Sequence, residues 1–117
     1  MRPTVLIVDD HAEFRDSAAE LLQSEGFDVV GSAGDGVTGL ALALRLRPQL
    51  VLLDVQLPDR DGFAVAERLA EEAPAPRVVL VSGRDAVAYG RRLAGAPVCG
   101  FLAKRDLSGA ALAALVS

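Results

Sequence analysis

Two carboxylates stand side by side at Asp9 and Asp10, directly after the apolar run VLIV, and a third, Asp54, follows LVLL. A hydroxyl, Ser82, ends RVVLVS, and an ammonium, Lys104, follows VCGFLA. Asp10 has an ordinary use as the cap of a helix beginning near His11, a role worth about 1 kcal/mol. A helix needs only one such cap, so Asp9 is left without a reason. Three acids at one sheet edge repel by about 1 kcal/mol per pair at about 4 Å in bulk water, and by about 4 kcal/mol near a protein surface. A divalent cation among them removes the conflict. Mg²⁺ takes hard oxygen ligands, typically one or two carboxylates with phosphate oxygens and water. One carboxylate can then attack a phosphoryl group, while a hydroxyl and a cation on neighbouring strands bind the remaining oxygens. Lys104 is the single lysine among 12 Lys and Arg residues, and lysine is a compact point charge where arginine is a planar fork.

Five apolar runs must carry these groups: Val5–Val8, Phe27–Ala33, Leu50–Leu53, Arg77–Val81 and Val98–Ala103. Valine-rich runs without strict alternation predict strands buried on both faces, as in a parallel sheet. The second run is less regular and reads as an edge. Helical spacing fills the gaps. Phe14, Ala18, Leu21 and Leu22 precede Gly26 at a helix end; Val37, Leu40, Ala41 and Leu44 repeat the pattern before Pro48; Val65, Ala66 and Leu69 do so before Pro74 and Pro76. The segment from Arg84 to Ala94 is a weaker helix, because Gly90 costs it about 1 kcal/mol relative to alanine. Ser108 is placed to cap the last helix, SGAALAALV. Five βα repeats predict one doubly wound α/β domain with right-handed crossovers. In such sheets ligands bind beyond the carboxyl ends of the strands. All five candidate groups lie at those ends.

Asp9-Asp10, Asp54, Ser82 and Lys104, in this order after strands one, three, four and five, resemble the response regulator receiver domain of two-component signalling. LLDVQLPDRDG and GFLAK extend the likeness over essentially the whole chain, residues 1–117, with no second domain in it. The resemblance implies a flavodoxin-like (βα)5 fold with a five-stranded parallel sheet in the order 2-1-3-4-5. It implies that Asp54 accepts a phosphoryl group from a histidine kinase or phosphotransfer protein. Mg²⁺, with Mn²⁺ as a substitute, would be held by Asp10, Asp54 and the backbone carbonyl of Gln56, with Asp9 acting through water. Ser82 would move toward the phosphoryl group and hydrogen-bond it, Lys104 would pair with it, and Phe101 would turn inward as the serine moves. Gln56 and Arg84 hold positions that tune phosphoryl lifetime.

The resemblance further implies a switching surface on the fourth helix, fifth strand and fifth helix, which is also a candidate homodimer face. The DDH start, and Arg105 where many receivers carry a cis proline, are similar to the nitrate-response type, whose members add a C-terminal helix-turn-helix. The expected output is therefore control of transcription, with DNA contacted only through such a further domain. No cis bond is expected at Arg105, since a non-proline cis peptide costs about 2.5–4 kcal/mol.

Composition sets outer limits. At 117 residues the chain is one domain able to bury a core without staples. A net charge of −4 gives no footprint for nucleic acid. No apolar run approaches the roughly 18 residues of a membrane span, and only MRPT precedes the first strand, so the expectation is cytoplasmic. The lone Cys99 reads as a small buried hydrophobe. His11 reads as an exposed first-turn residue rather than a metal ligand. Asp59 and Asp61 read as turn and capping residues, and Phe14, Phe27 and Phe63 as core. The chain is not expected to be an enzyme beyond its own phosphoryl transfer. A haloacid-dehalogenase-like phosphatase needs an acid two residues after its nucleophile, where Gln56 stands. GxGxxG does not follow the first strand, which argues against dinucleotide binding. A receiver that binds partners independently of phosphorylation is the remaining alternative.

Overall fold

The computed structural model describes residues 2–116, so both terminal positions of the domain expected over residues 1–117 lie outside the described residues. The order is β1 (Thr4–Val8), α1 (Ala12–Ser24), β2 (Asp28–Ala33), α2 (Gly36–Leu46), β3 (Leu50–Asp54), α3 (Gly62–Leu69), β4 (Arg77–Ser82), α4 (Arg91–Ala94), β5 (Gly100–Ala103) and α5 (Gly109–Val116). Single 3-10 turns lie at Ala86–Ala88 and Lys104–Asp106. The strands form one parallel sheet in the order β2-β1-β3-β4-β5. This is the expected flavodoxin-like order, with the irregular second run at an edge.

Successive side chains on a strand point to opposite faces, so each strand feeds two cores. Leu6, Val8, Val51, Leu53 and Leu80 pack with Phe63, Val65 and Leu69 on the α2–α3 side. Val5, Ile7, Leu52, Val79 and Val81 pack with Ala18, Leu22 and Leu112 on the α1–α5 side. Both faces are apolar, which is why the runs show no alternation.

Helix α2 corrects the expected pattern. Its buried residues are Gly36, Gly39 and Ala43, whereas Val37 and Leu44 are 54% and 39% exposed and Ala41 is exposed. A Cβ on Gly39 would meet the two methyl carbons of Val8 at 2.8 and 2.9 Å, so the small residues let the helix lie close on β1. The segment after β4 is also not one helix. It breaks into a 3-10 turn and the four-residue α4, with Gly90 between them at φ +50°. Cys99 falls just before β5 and is exposed, so it is not a core residue. The remaining punctuation matches expectation: Gly26 follows the C-cap of α1, and the Ser108 hydroxyl accepts the Ala111 N–H at 3.0 Å. Among the described residues the cis peptide is Ala73–Pro74, and the bond before Arg105 is trans.

Candidate functional site

Asp9 leaves the end of β1 pointing inward and is fully buried, while Asp10 turns outward with its side chain 34% exposed. This reverses the capping expectation. The Asp9 carboxylate, not that of Asp10, accepts the His11 N–H at 2.8 Å, and His11 itself is the N-cap of α1. The pattern is an Asx turn, in which an aspartate bonds the amide two residues on. The guanidinium of Arg15 in α1 donates to the Asp9 carbonyl at 2.7 Å, which ties the helix to the strand end.

Asp54 ends β3 and is 4% exposed. Its carboxylate accepts the Gln56 N–H at 3.1 Å, so the chain turns back over it at once. Gly62, opening α3, makes that turn possible: a Cβ there would stand 2.3 Å from the Asp54 carbonyl oxygen. Two further loop acids have the capping work expected of them. Asp61 accepts the Phe63 N–H at 2.8 Å. Asp59 reaches back to α2 and accepts Gly36 and Val37 N–H groups at 2.7 and 3.0 Å.

Lys104, just past β5, brings its Nζ to 2.6 Å from one Asp9 oxygen and 3.5 Å from Asp54. It lies 4.7 Å from the centre of the Phe14 ring and 3.3 Å from His11 Nδ1. Phe14 is therefore a wall of the site beneath the ammonium, not simply core. Ser82 ends β4 and is 3% exposed; its Oγ hydrogen-bonds the Tyr89 hydroxyl and accepts the Arg84 N–H at 3.0 Å. Tyr89 was not picked out by sequence reasoning. Its signals are that it is the single tyrosine of the chain and stands seven positions after the strand-end serine.

A cleft of about 500 Å³ opens onto this edge, lined by Asp10, Asp54, Gln56, Ser82, Arg84 and Lys104 among others. Phe101 lies off the cleft, half-buried, with its ring 5.8 Å from that of Tyr89. A second cleft, about 290 Å³ between Leu44, Leu69, Pro74 and Pro76, faces the opposite end of the strands and holds none of these carboxylates.

The electrostatics of the acidic cluster fit a hard cation. Ligand atoms from Asp9, Asp10, His11 and Asp54 lie within 4.8 Å of one another. One oxygen of the buried Asp9 makes no hydrogen bond; Lys104 approaches it as an ion pair without hydrogen-bond geometry. Burial pushes the Asp54 carboxyl up to about 6, helped by the charges of Asp9 and Asp10 and opposed by the Gln56 N–H and Lys104. An all-oxygen acid set with one buried, under-partnered carboxylate suits Mg²⁺. His11 Nδ1 is 3.0 Å from Asp10, but its side chain is 68% exposed and a nitrogen donor adds little to a Mg²⁺ site.

Comparison with known proteins agrees with this geometry. Residues 5–116 match the response regulator receiver domain. The chain belongs to that family. Over 102 residues, 87% of the chain and 49% of the relative, it is 35% identical to the virulence factors putative positive transcription regulator BvgA of Bordetella pertussis. It is 45% identical over 89 residues, 74% of the chain and 43% of the relative, to the transcriptional regulatory protein PdtaR of Mycobacterium tuberculosis. The receiver domain of the putative response regulator NarL from M. tuberculosis superposes with a TM-score of 0.86 at 31% identity, covering 99% of this chain and 98% of that one. The chain thus spans about half the length of the curated relatives it matches. Receiver domains are signalling modules of two-component systems that bind Mg²⁺ at an acidic pocket and work with histidine kinases or phosphotransfer proteins. Those of transcription regulators are generally not enzymes. Among the described residues no helix is long and apolar enough to cross a membrane.

Proposed function

We propose that this receiver is a phosphorylation-activated switch in which Asp54 takes a phosphoryl group from a phosphohistidine on a kinase or phosphotransfer protein. The observation that carries the reading is the convergence of Asp9, Asp10 and Asp54 on one sheet edge, with the Lys104 ammonium 3.5 Å from Asp54. An Asp54 oxygen attacks phosphorus, the bond from phosphorus to the imidazole nitrogen breaks, and the departing imidazole keeps that electron pair and takes up a proton. Asp10, Asp54 and the Gln56 carbonyl would hold Mg²⁺, with Asp9 acting through water; bound there, the ion offsets the negative charge gathered on carboxylates and phosphoryl oxygens. Lys104, 3.5 Å from Asp54, supplies the protein's own positive charge. Ser82 contributes a hydroxyl to a phosphoryl oxygen, and Gln56 and Arg84, both at the cleft, govern the approach of hydrolytic water.

Phosphorylation turns one negative charge into about two and adds strong acceptors. Lys104 and Ser82 gain more from that group than from a bare carboxylate, and the difference biases the α4–β5–α5 surface around Phe101. Moving such an equilibrium from 1:99 to 99:1 takes about 5.5 kcal/mol. Two or three charge-assisted hydrogen bonds of about 1.5–3 kcal/mol each are enough. The output is control of transcription through a further domain, consistent with the regulators the chain resembles, and the α4–β5–α5 face is the candidate homodimer contact. Residues 1–117 act as one receiver domain in the cytoplasm.

Acetyl phosphate with Mg²⁺ tests the acceptor. The expected result is a mass increase of one phosphoryl group that is labile to hydroxylamine and absent from Asp54→Ala. No adduct on the wild type, or an adduct that persists in Asp54→Ala, would overturn the assignment. Partner binding that is identical in the two proteins would favour the phosphorylation-independent reading.

A further inference from the structure

Ser82 already has two of its three hydrogen-bonding valences in use. A serine hydroxyl has one proton and two lone pairs. The Arg84 N–H fills one lone pair at 3.0 Å, and the Tyr89 phenol takes a second valence. Among the described residues no hydrogen bond joins Ser82 to Asp54, although both line the same cleft. A phosphoryl group on Asp54 offers only acceptor oxygens, so contact with it requires the Ser82 proton to turn toward β3. With Ser82 as the donor to the phenol, that proton is held by Tyr89 instead, in the segment that follows the 3-10 turn.

Tyr89 is also placed to pass this competition on. Its ring centre is 5.9 Å from that of Phe63 and 5.8 Å from that of Phe101. The Arg92 guanidinium lies 4.4 Å from the Phe63 ring centre and pairs with Asp61, the residue that caps α3. Phe101 has no hydroxyl of its own, so the aromatic on β5 cannot follow the serine through a hydrogen bond. Tyr89 touches both.

We infer that Tyr89 is a positioning residue, a latch that holds Ser82 away from Asp54 in the unphosphorylated protein and is released when Ser82 turns to the phosphoryl group. The inference rests on the phosphoacceptor reading of Asp54. Release deprives the half-buried phenol of its partner, and its ring must resettle between Phe63 and Phe101. A change of one hydroxyl at the site therefore becomes a change of aromatic packing beside β5. Forming the activated state costs the latch, and removing the latch lowers that cost.

The test uses beryllofluoride with Mg²⁺ as a mimic of the aspartyl phosphate, its uptake followed by fluorine NMR. Tyr89→Phe keeps the ring and deletes the hydroxyl. A neutral hydrogen bond of ordinary strength predicts that this variant binds beryllofluoride about two- to tenfold more tightly than wild type. In a Ser82→Ala background the same substitution should change affinity by less than about twofold, because the two residues act as a pair. A ring-packing role would give the same effect in both backgrounds. The chain has one tyrosine and no tryptophan, so tyrosine emission reports Tyr89 alone. Emission should change when wild type is loaded, and that change should be lost in Ser82→Ala. Unchanged or weaker binding by Tyr89→Phe, an equal effect in both backgrounds, or an emission change that survives Ser82→Ala each overturns the latch while leaving the acceptor reading intact. Failure of the wild type to take up beryllofluoride, or uptake that survives Asp54→Ala, overturns both.

Discussion

The two halves of the site are built to different standards. On the β1–β3 side every residue of β3 is buried, Asp9 is fully enclosed, and α3 buries five of its eight residues. On the β4–β5 side the 3-10 turn and α4 bury none, three of the four β5 residues are only half-buried, and Val87 is 87% exposed. Besides the Tyr89 contacts, this half is tied by exposed ion pairs, Arg92–Asp61 and Arg105–Asp85, and such pairs contribute about 0–1 kcal/mol. The acids that would hold a metal stand on rigid ground. The groups that would respond stand on the least consolidated part of the fold, the kind of region where local opening is cheap.

The largest effects should separate the halves most plainly. Leu69, 1% exposed in α3, should cost about 2–5 kcal/mol when cut to alanine. Leu93, half-buried in α4, should cost less than about 2 kcal/mol when cut in the same way, measured by denaturant unfolding. Equal losses would remove the contrast.

A smaller effect of opposite sign is expected at Asp54. Its pKa in the folded protein is raised from 3.8 to about 6, first by burial and then by its acidic neighbours. A raised carboxyl favours folding in its protonated form, so the penalty is absent below the ordinary value and complete above about 6. Metal-free Asp54→Asn should therefore be more stable than wild type at neutral pH, on the order of 1–2 kcal/mol. The gap should close in acid, and it should narrow when Mg²⁺ is added, since the metal steadies only the wild type. A gap that ignores both pH and Mg²⁺ would mean that burial and the neighbouring acids place no penalty on the Asp54 carboxylate.

The smallest effect lies at the rim. The Gly36 N–H, ahead of that of Val37, holds Asp59 below its ordinary pKa. A lowered carboxylate stabilises the fold above the ordinary aspartate value, and that contribution is lost as pH falls through the lowered folded value. Thermal unfolding of Asp59→Ala should lie slightly below wild type at neutral pH and meet it in strong acid. Curves that stay parallel would leave Asp59 without a capping role.

What could be read in advance followed the same division. The strands were legible because burial on both faces leaves an unbroken apolar run, and Asp9, Asp10, Asp54, Ser82 and Lys104 were legible because they end those runs. Helix α2 misled because its fully buried residues are the small Gly36, Gly39 and Ala43, while Leu40 packs only partly and Val37 and Leu44 are exposed. Phe14 fitted helical core spacing equally well whether it faced the core or the lysine. The sharing of duties between Asp9 and Asp10 depends on which carboxylate turns inward, and adjacent identical residues do not encode that. Tyr89 sits in a weakly patterned segment, and its contact with Ser82 exists only once β4 and the 3-10 turn have packed.

Asp59 carries one more implication. It belongs to the loop that follows Asp54, yet it caps the helix that precedes β3. Residues 36–46 and 55–61 are therefore a single transplantable piece, although β3 lies between them in the chain. A chimera that borrows α2 from another receiver should borrow this loop with it, or two amide donors at the graft will be left facing a foreign side chain.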